Sequence, residues 1–180
     1  LINDILDLSK IEARKLELHF SDINLSAFLT GVAEICRIRA EQKGIEFHLQ
    51  ADSQLPLTVI ADEKRLRQVL INLLGNAIKF TQEGGFTFSI RVIESNQLNI
   101  DQESCKIRFE IIDSGVGMTP EQLNKIFLPF EQAGDKNKQT EGTGLGLTIS
   151  RKITELMGSG IQVESNFGSG SKFWFDADLK

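Results

Sequence analysis

Between Asp62 and Phe80 the sequence makes two demands on one helix. Leu66, Val69, Leu70, Leu73, Leu74, Ala77 and Ile78 recur at helical spacing and need an apolar surface to cover them. Arg65, Gln68, Asn72, Asn76 and Lys79 step by 3, 4, 4 and 3 along the same helix and form a polar stripe beside that face. Asparagine is a poor interior helix former, so a pair at i and i+4 needs a reason. A buried helix with a polar seam either satisfies a core network or lines a ligand cavity. The combination suits a magnesium nucleotide. Amide oxygens are neutral hard ligands for a Mg²⁺ that keeps most of its waters and phosphates, and a lysine one turn on can offset phosphate charge.

Period-two alternation marks the strands that could cover this helix. It runs through Leu16, Leu18 and Phe20, through Ile45, Phe47, Leu49 and Ala51, through Phe86, Phe88, Ile90 and Val92, and through Ile107, Phe109 and Ile111. Further strands are expected at Val59-Ile60, from Ile161 to Ser165 and from Ser171 to Ala177. Helices are predicted from a cap at Ser26 to a stop at Gly44, from a cap at Asp62, at Thr119-Pro120-Glu121, and from about Leu145 to Met157 with a stop at Gly158. The polar stretch Glu94 to Ser104 reads as a loop. Glu131 to Glu141 reads as a long loop, of the kind that is usually functional. Strands and helices mix without regular alternation, which predicts an α/β protein, a two-layer α/β sandwich with a mixed β-sheet.

The start of the chain is different. Leu1, Ile5 and Leu8 share one helical stripe with Ile2 and Leu6 beside it, and nothing in the next 20 residues completes a partner for it. The stripe is expected to join a helical bundle or coiled coil supplied by other sequence, with docking on its own domain as the alternative. The pattern is already under way at Leu1 without an initiator Met, so the chain reads as a piece of something longer.

Length and charge bound the function. A chain of 180 residues suits one ordinary domain, and its 41% hydrophobic and 25% charged composition excludes a disordered or collagen-like chain. With 20 Lys+Arg against 25 Asp+Glu the net charge is -5, which argues against nucleic acid or an anionic membrane as the main partner. No apolar run reaches the length of a membrane span, and no leader is evident. Cys36 and Cys105 have no companions at metal-ligand spacing and read as buried thiols of a reducing cytoplasm.

Two glycine-rich segments add chemistry to the polar stripe. Asp113-Ser114-Gly115-Val116-Gly117 follows a strand. Its glycines let backbone approach a flat ligand, and an ionised Asp accepts hydrogen bonds such as those of an exocyclic amine. It lacks the further acidic residues of a calcium loop, and alone it is equally a turn. Gly142-Thr143-Gly144-Leu145-Gly146-Leu147 opens a helix, where free amides and the helix dipole make a phosphate cradle. Neither a Walker A loop nor a dinucleotide fingerprint fits its spacing. In chain order, the segments supply a metal ligand, base recognition, a lid and a phosphate cradle, the parts that one ATP site needs.

Taken together these segments resemble the boxes of sensor histidine kinases. Asn72-Leu73-Leu74-Gly75-Asn76-Ala77-Ile78-Lys79-Phe80-Thr81 is similar to the N box, Asp113 to Gly117 to the G1 box, Phe127-Leu128-Pro129-Phe130 to the F box and Gly142 to Leu147 to the G2 box. Gly168 to Phe173 resembles the last glycine box, and Leu1 to Leu18 the end of the second helix of the dimerisation domain. The flavour is that of hybrid sensor kinases. The resemblance covers essentially the whole chain and implies the Bergerat-type ATP-binding fold of gyrase, heat-shock chaperone and mismatch-repair ATPases. It divides the chain into residues 1–18, the end of the phosphoacceptor helix, and 19–180, the catalytic domain.

What the resemblance implies for the site follows box by box. Asn76 would coordinate Mg²⁺ and Asn72 would contact the phosphate end of ATP, with Lys79 facing phosphate and Phe80 flanking the nucleotide. Asp113 would bind the adenine amino group with help from Ser171, Gly115 and Gly117 would allow close approach, and Gly142, Thr143, Gly144, Leu145, Gly146 and Leu147 would hold phosphates. Glu131 to Glu141 would be the ATP lid. Where relatives carry a lid arginine, the nearest candidate is Lys138, a point charge without a bidentate fork.

The related ATPases carry a Glu general base in the N box where this chain has Asn72, so slow hydrolysis and transfer to another nucleophile are expected. In the resembled family that nucleophile is a His on the first dimerisation helix. His19 and His48 lie in strand-like surroundings without the acceptor motif, so the acceptor is expected on another segment. The implied partners are the dimerisation domain of the same kinase and a response regulator receiver domain. The full-length protein would be a homodimer, and this segment would be cytoplasmic, touching neither nucleic acid nor membrane. A non-catalytic nucleotide-binding regulatory module is the alternative, and a hydrolytic ATPase a weaker third.

Overall fold

The computed structural model describes residues 2–99, 102–131 and 142–180. In chain order the elements are α1 (Ile2–Glu12), β1 (Ser21–Asn24), α2 (Leu25–Lys43), β2 (Glu46–Ala51), β3 (Thr58–Ala61), α3 (Glu63–Phe80), β4 (Gly85–Asn99), β5 (Gln102–Asp113), α4 (Pro120–Leu123), α5 (Gly146–Leu156), β6 (Gln162–Asn166) and β7 (Gly170–Leu179). A five-stranded sheet in the order β2-β4-β5-β7-β6 is parallel only at β2–β4, which makes it mixed. β1 and β3 form a separate antiparallel pair, tied to the end of the chain where the Ile60 N–H donates to the Lys180 carbonyl at 2.7 Å.

The alternation along the strands puts one face of the sheet into the core. Phe86, Phe88 and Ile90 of β4, Ile107, Phe109 and Ile111 of β5, and Phe173, Phe175 and Ala177 of β7 join the apolar faces of α2, α3 and α5 in one buried cluster. The Phe109 and Phe175 rings stack at 5.1 Å. On the other face, ion pairs such as Arg108–Asp176 at 2.7 Å and Lys172–Glu164 at 2.8 Å replace apolar packing. The result is two layers, helices on one side and a half-open sheet.

α3 is held at both ends. Asp62 accepts from the Arg65 N–H at 2.9 Å as its N-cap, and its other oxygen accepts from the His19 N–H at 2.8 Å. At the far end the Lys43 ammonium donates to the Ile78 and Lys79 carbonyls at 2.6 and 2.9 Å, closing orphan acceptors just where Lys79 and Phe80 must be placed. Burial lowers the Lys43 pKa.

Several local expectations are corrected. Leu16 to Phe20 is not a strand; pairing begins only at Ser21, opposite Ala61. The α2 cap is Asn24, accepting from the Ala27 N–H at 2.9 Å, and Ser26 lies within the first turn. Glu94 to Ser104 is not a loop, because β4 and β5 continue as a paired ribbon with register shifts at Val92/Glu94 and Gln97/Asn99. That ribbon leaves the core edge, so backbone pairing forms it and no apolar alternation announces it. Residues 100 and 101 lie outside the described residues. Gly44 in the left-handed region at φ 75° ends α2 as expected, and Thr119 makes a capping box for α4. Among the described residues no helix is long and apolar enough to cross a membrane.

Because Asp62 serves both the first turn of α3 and the segment before β1, Asp62→Ala is expected to cost about 1–2 kcal/mol. A urea unfolding midpoint shifted down without a change of slope would show it.

Candidate nucleotide-binding site

A cavity of about 360 Å³ opens between α3, the end of β5 and the start of α5. It gathers most of the residues read from the sequence. α3 supplies Asn72, Asn76, Lys79 and Phe80, the segment from the end of β5 supplies Asp113 and Gly117, and β7 supplies Ser171. Gly142, Thr143, Gly144, Gly146 and Leu147 line the opposite end. Two expected residues do not line it. Leu145 is fully buried in the core, where it anchors the start of α5, and Gly115 acts from behind the wall. Lys138 and residues 132–141 of the expected lid lie outside the described residues.

One end of the cavity is built around a buried carboxylate. Asp113, 8% exposed, closes β5 opposite Ser171. Its Oδ1 accepts from the Gly115 N–H at 2.9 Å, and the Ser171 backbone N–H donates to the same carboxylate. Burial pushes the Asp113 pKa up, and these two hydrogen bonds oppose the shift without cancelling it. A Cβ on Gly115 would stand 2.5 Å from the Phe80 carbonyl oxygen, so the end of α3 and this turn can touch only with glycine there. Gly117, at φ 65°, is equally constrained, since a Cβ would fall on the Asn166 carbonyl.

The other end presents backbone donors. α5 begins at Gly146 without a side-chain cap, so its first amides stay open toward the cavity. Thr143 Oγ1 accepts from the Leu145 N–H at 3.1 Å and donates to the Asp4 carboxylate at 3.3 Å. The Asn72 amide nitrogen donates to Ser150 Oγ at 2.9 Å, while a Cβ on Gly146 would fall on Asn72 Oδ1. Asn72 is thereby wedged against α5 with its orientation set. Asn76 makes no side-chain hydrogen bond with another described residue and keeps its amide available to the cavity. The Lys79 ammonium lies 5.0 Å from the Phe80 ring centroid and 3.1 Å from where a Gly142 Cβ would be. The Phe130 N–H donates to the Gly144 carbonyl at 3.0 Å, holding these two segments together, and Phe130 has φ 64° there.

α1 reaches the same site. Asp7 receives the Arg65 guanidinium at 2.9 Å and the Gln68 amide at 2.8 Å, so the lower half of the α3 stripe is a satisfied polar network, and from Gln68 onward the stripe also lines the cavity. Burial raises the Asp7 pKa, but the hydrogen bonds from Arg65 and Gln68 and the Arg65 charge outweigh it and hold the carboxyl below its ordinary value. Leu8 and Ile11 pack on the domain core, whereas Ile2, Ile5 and Leu6 stay exposed. The docking reading of the first stripe therefore holds for Leu8 and Ile11.

Sequence reasoning missed Asp4, Met118, Ile126, Ile149, Ser150 and Phe173 among the cavity residues. Ser150 was findable, one turn after Gly146 on the same helix; Asp4 was not, because its placement depends on α1 folding back across the chain.

Acceptors at one end of a cavity and open amides with neutral carboxamides at the other make the layout of a nucleotide-binding ATPase domain. Residues 61–180 match the family described as histidine kinase-, DNA gyrase B-, and HSP90-like ATPase, and the chain belongs to that family. Its relatives place it among the ATP-binding domains of sensor histidine kinases. The aerobic respiration control sensor protein ArcB of Escherichia coli strain K12 is 39% identical over 175 residues, 96% of this chain and 21% of the relative. The sensor histidine kinase GacS of Pseudomonas protegens is 38% identical over 180 residues, 99% of this chain and 19% of the relative, so the chain spans a small part of each. Full-length ShkA, solved in complex with AMPPNP, matches with a TM-score of 0.79 at 35% identity, over 99% of this chain and 35% of that one. The histidine kinase ThkA, solved with the response regulator TrrA, gives 0.70 at 29% identity, over 97% and 46%.

Two outcomes follow from the charges. Because the Asp113 pKa is raised, its ionised form is paid for in folding stability at neutral pH. Asp113→Asn should cost less than about 1 kcal/mol in thermal stability while lowering ATP affinity at least about tenfold by calorimetry. Because the Asp7 pKa is lowered, its contribution is complete above the ordinary carboxylate range and is lost as pH falls through the lowered value. Asp7→Ala should loosen α1 by about 1–3 kcal/mol, read as lost hydrogen-exchange protection in α1 with α3 unchanged.

Proposed function

We propose that this chain binds Mg-ATP and transfers the γ-phosphate to a His on a dimerisation domain outside it, for relay to the Asp of a response regulator. The observation that carries the reading is the single cavity that joins the buried Asp113 to the uncapped start of α5 through Asn72 and Asn76. The ATP-binding domain of its relatives, the AMPPNP in the ShkA structure and the response regulator beside ThkA support it.

Each residue has a defined part. Asp113 accepts from the adenine amine, with Ser171 beside it, and Gly115 and Gly117 let the base lie against backbone. The open amides from Gly146 onward, with Gly142, Thr143 and Gly144, hold phosphate oxygens, and Leu145 contributes by fixing that turn in the core. Lys79 offsets phosphate charge, Phe80 flanks the nucleotide, and Lys138 is the nearest candidate for a lid charge.

A Mg²⁺ fits the donor set. Among the described residues no group of three His, Cys, Asp or Glu could hold a metal, and the free amide oxygen of Asn76 suits an ion that takes its other ligands from phosphate and water. When bound, the ion neutralises charge on the phosphates. Asn72 cannot accept a proton and is tied to Ser150, so the position where the related ATPases carry a glutamate supplies no general base to activate water. The phosphoryl group therefore waits for the histidine.

We further read residues 1–18 as the end of the second dimerisation helix and 19–180 as the catalytic domain. The exposed Ile2, Ile5 and Leu6 favour continuation of α1 into a homodimeric bundle in the cytoplasm. His19 and His48 are both exposed and neither lies on a helix, which suits neither for the acceptor role.

Mixing this chain with a separately made acceptor domain and labelled ATP tests the reading: label on His is expected, and binding without transfer would instead support a purely regulatory nucleotide module. Asn76→Ala should lower Mg-ATP affinity at least about tenfold with the fold intact. Steady phosphate release by the chain alone, abolished by Asn76→Ala, would point to a hydrolase.

A further inference from the structure

Ser165, on β6 and outside the cavity wall, sits at the junction of three segments. Its Oγ accepts from the Met118 N–H at 2.8 Å, donates to the Gly170 carbonyl at 2.9 Å and lies 2.8 Å from Ser171 Oγ. A hydroxyl has one hydrogen and two lone pairs. The Gly170 carbonyl can only accept, so it takes the Ser165 hydrogen. The Met118 N–H can only donate, so it fills one lone pair. One lone pair remains for Ser171, and the contact is satisfied only if Ser171 is the donor. The hydrogen of Ser171 is thus spent away from the cavity that Ser171 lines, and its oxygen has only lone pairs left to offer a ligand.

We propose that Ser165 is a specificity-determining positioning residue, which sets base choice by locking the Ser171 hydroxyl as an acceptor beside the Asp113 carboxylate. This rests on the proposed ATP site. Two neighbouring acceptors match an exocyclic amine, which has two hydrogens to give, and oppose the oxo group that replaces it in hypoxanthine. Without Ser165 the Ser171 hydroxyl is free to turn and donate to an oxo group, so discrimination between 6-amino and 6-oxo purines weakens.

The test is calorimetric titration of this chain with Mg-ATP and Mg-ITP, which differ at that one position of the base and its N1 proton. The unsubstituted chain is expected to prefer ATP. Ser165→Ala should lower the ATP/ITP affinity ratio about tenfold, whereas Ser165→Thr, which keeps the hydroxyl, should retain it. A Ser165→Ala chain that loses affinity for both nucleotides equally would overturn the proposal and leave Ser165 a structural staple of Met118 and Gly170. If circular dichroism shows that Ser165→Ala does not fold, Ser171→Ala decides: ATP affinity should fall with ITP affinity unchanged, and an equal fall in both overturns the proposal. Asp113→Asn separates the two levels of the argument. ATP binding that is absent, or indifferent to Asp113→Asn, sinks the site and this inference together. Binding that needs Asp113 but shows no ratio change in the serine variants sinks only the inference.

Discussion

The structure turns on keeping one helix buried while serving every polar group along its side. α3 has Leu70 and Leu74 wholly inside the core, yet carries Arg65, Gln68, Asn72, Asn76 and Lys79 beside them. A polar group left unpaired in that position would cost about 1–3 kcal/mol. The surrounding elements share the load: α1 brings Asp7 to Arg65 and Gln68, and α5 brings Ser150 to Asn72. Asn76 alone has no described protein partner, and it faces the cavity. The stripe is thus a core network at one end and a cavity wall at the other, where the sequence had left a core network and a ligand cavity as alternatives.

The cavity is polar in a directed way. Acceptors collect around Asp113 and Ser171, and donors collect at the start of α5. An acidic chain with a net charge of -5 can hold an anion there only locally, through amides, a helix dipole and a few cations. Close approach makes this possible. Gly115, Gly117 and Gly146 stand where a single Cβ would collide with the Phe80 carbonyl, the Asn166 carbonyl and Asn72, respectively. The glycines of the motifs therefore serve contact between protein segments as much as contact with a ligand.

Much of this was legible in the chain. The two periods gave most of the strands and helices, because residues that alternate or recur at helical spacing do so to face one core. Gly44, Asp62 and Thr119 marked helix ends correctly, since their chemistry is local. Where a decision depended on a distant partner, the pattern failed. Leu16 to Phe20 has the alternation of a strand but no ladder to join, and Glu94 to Asn99 has a ladder without the alternation.

By itself the sequence determined the kind of site: the order of an amide stripe, an Asp-glycine turn and a glycine-rich helix start encodes nucleotide chemistry through residue types alone. Only the tertiary structure decided how those groups are shared. It assigned Arg65 and Gln68 to α1, fixed the Asn72 amide against Ser150, put Leu145 in the core, and committed the Ser171 hydroxyl to Ser165. The reason is that a side chain's type sets what it can donate or accept, but which of those capacities remains for a ligand depends on neighbours tens of residues away.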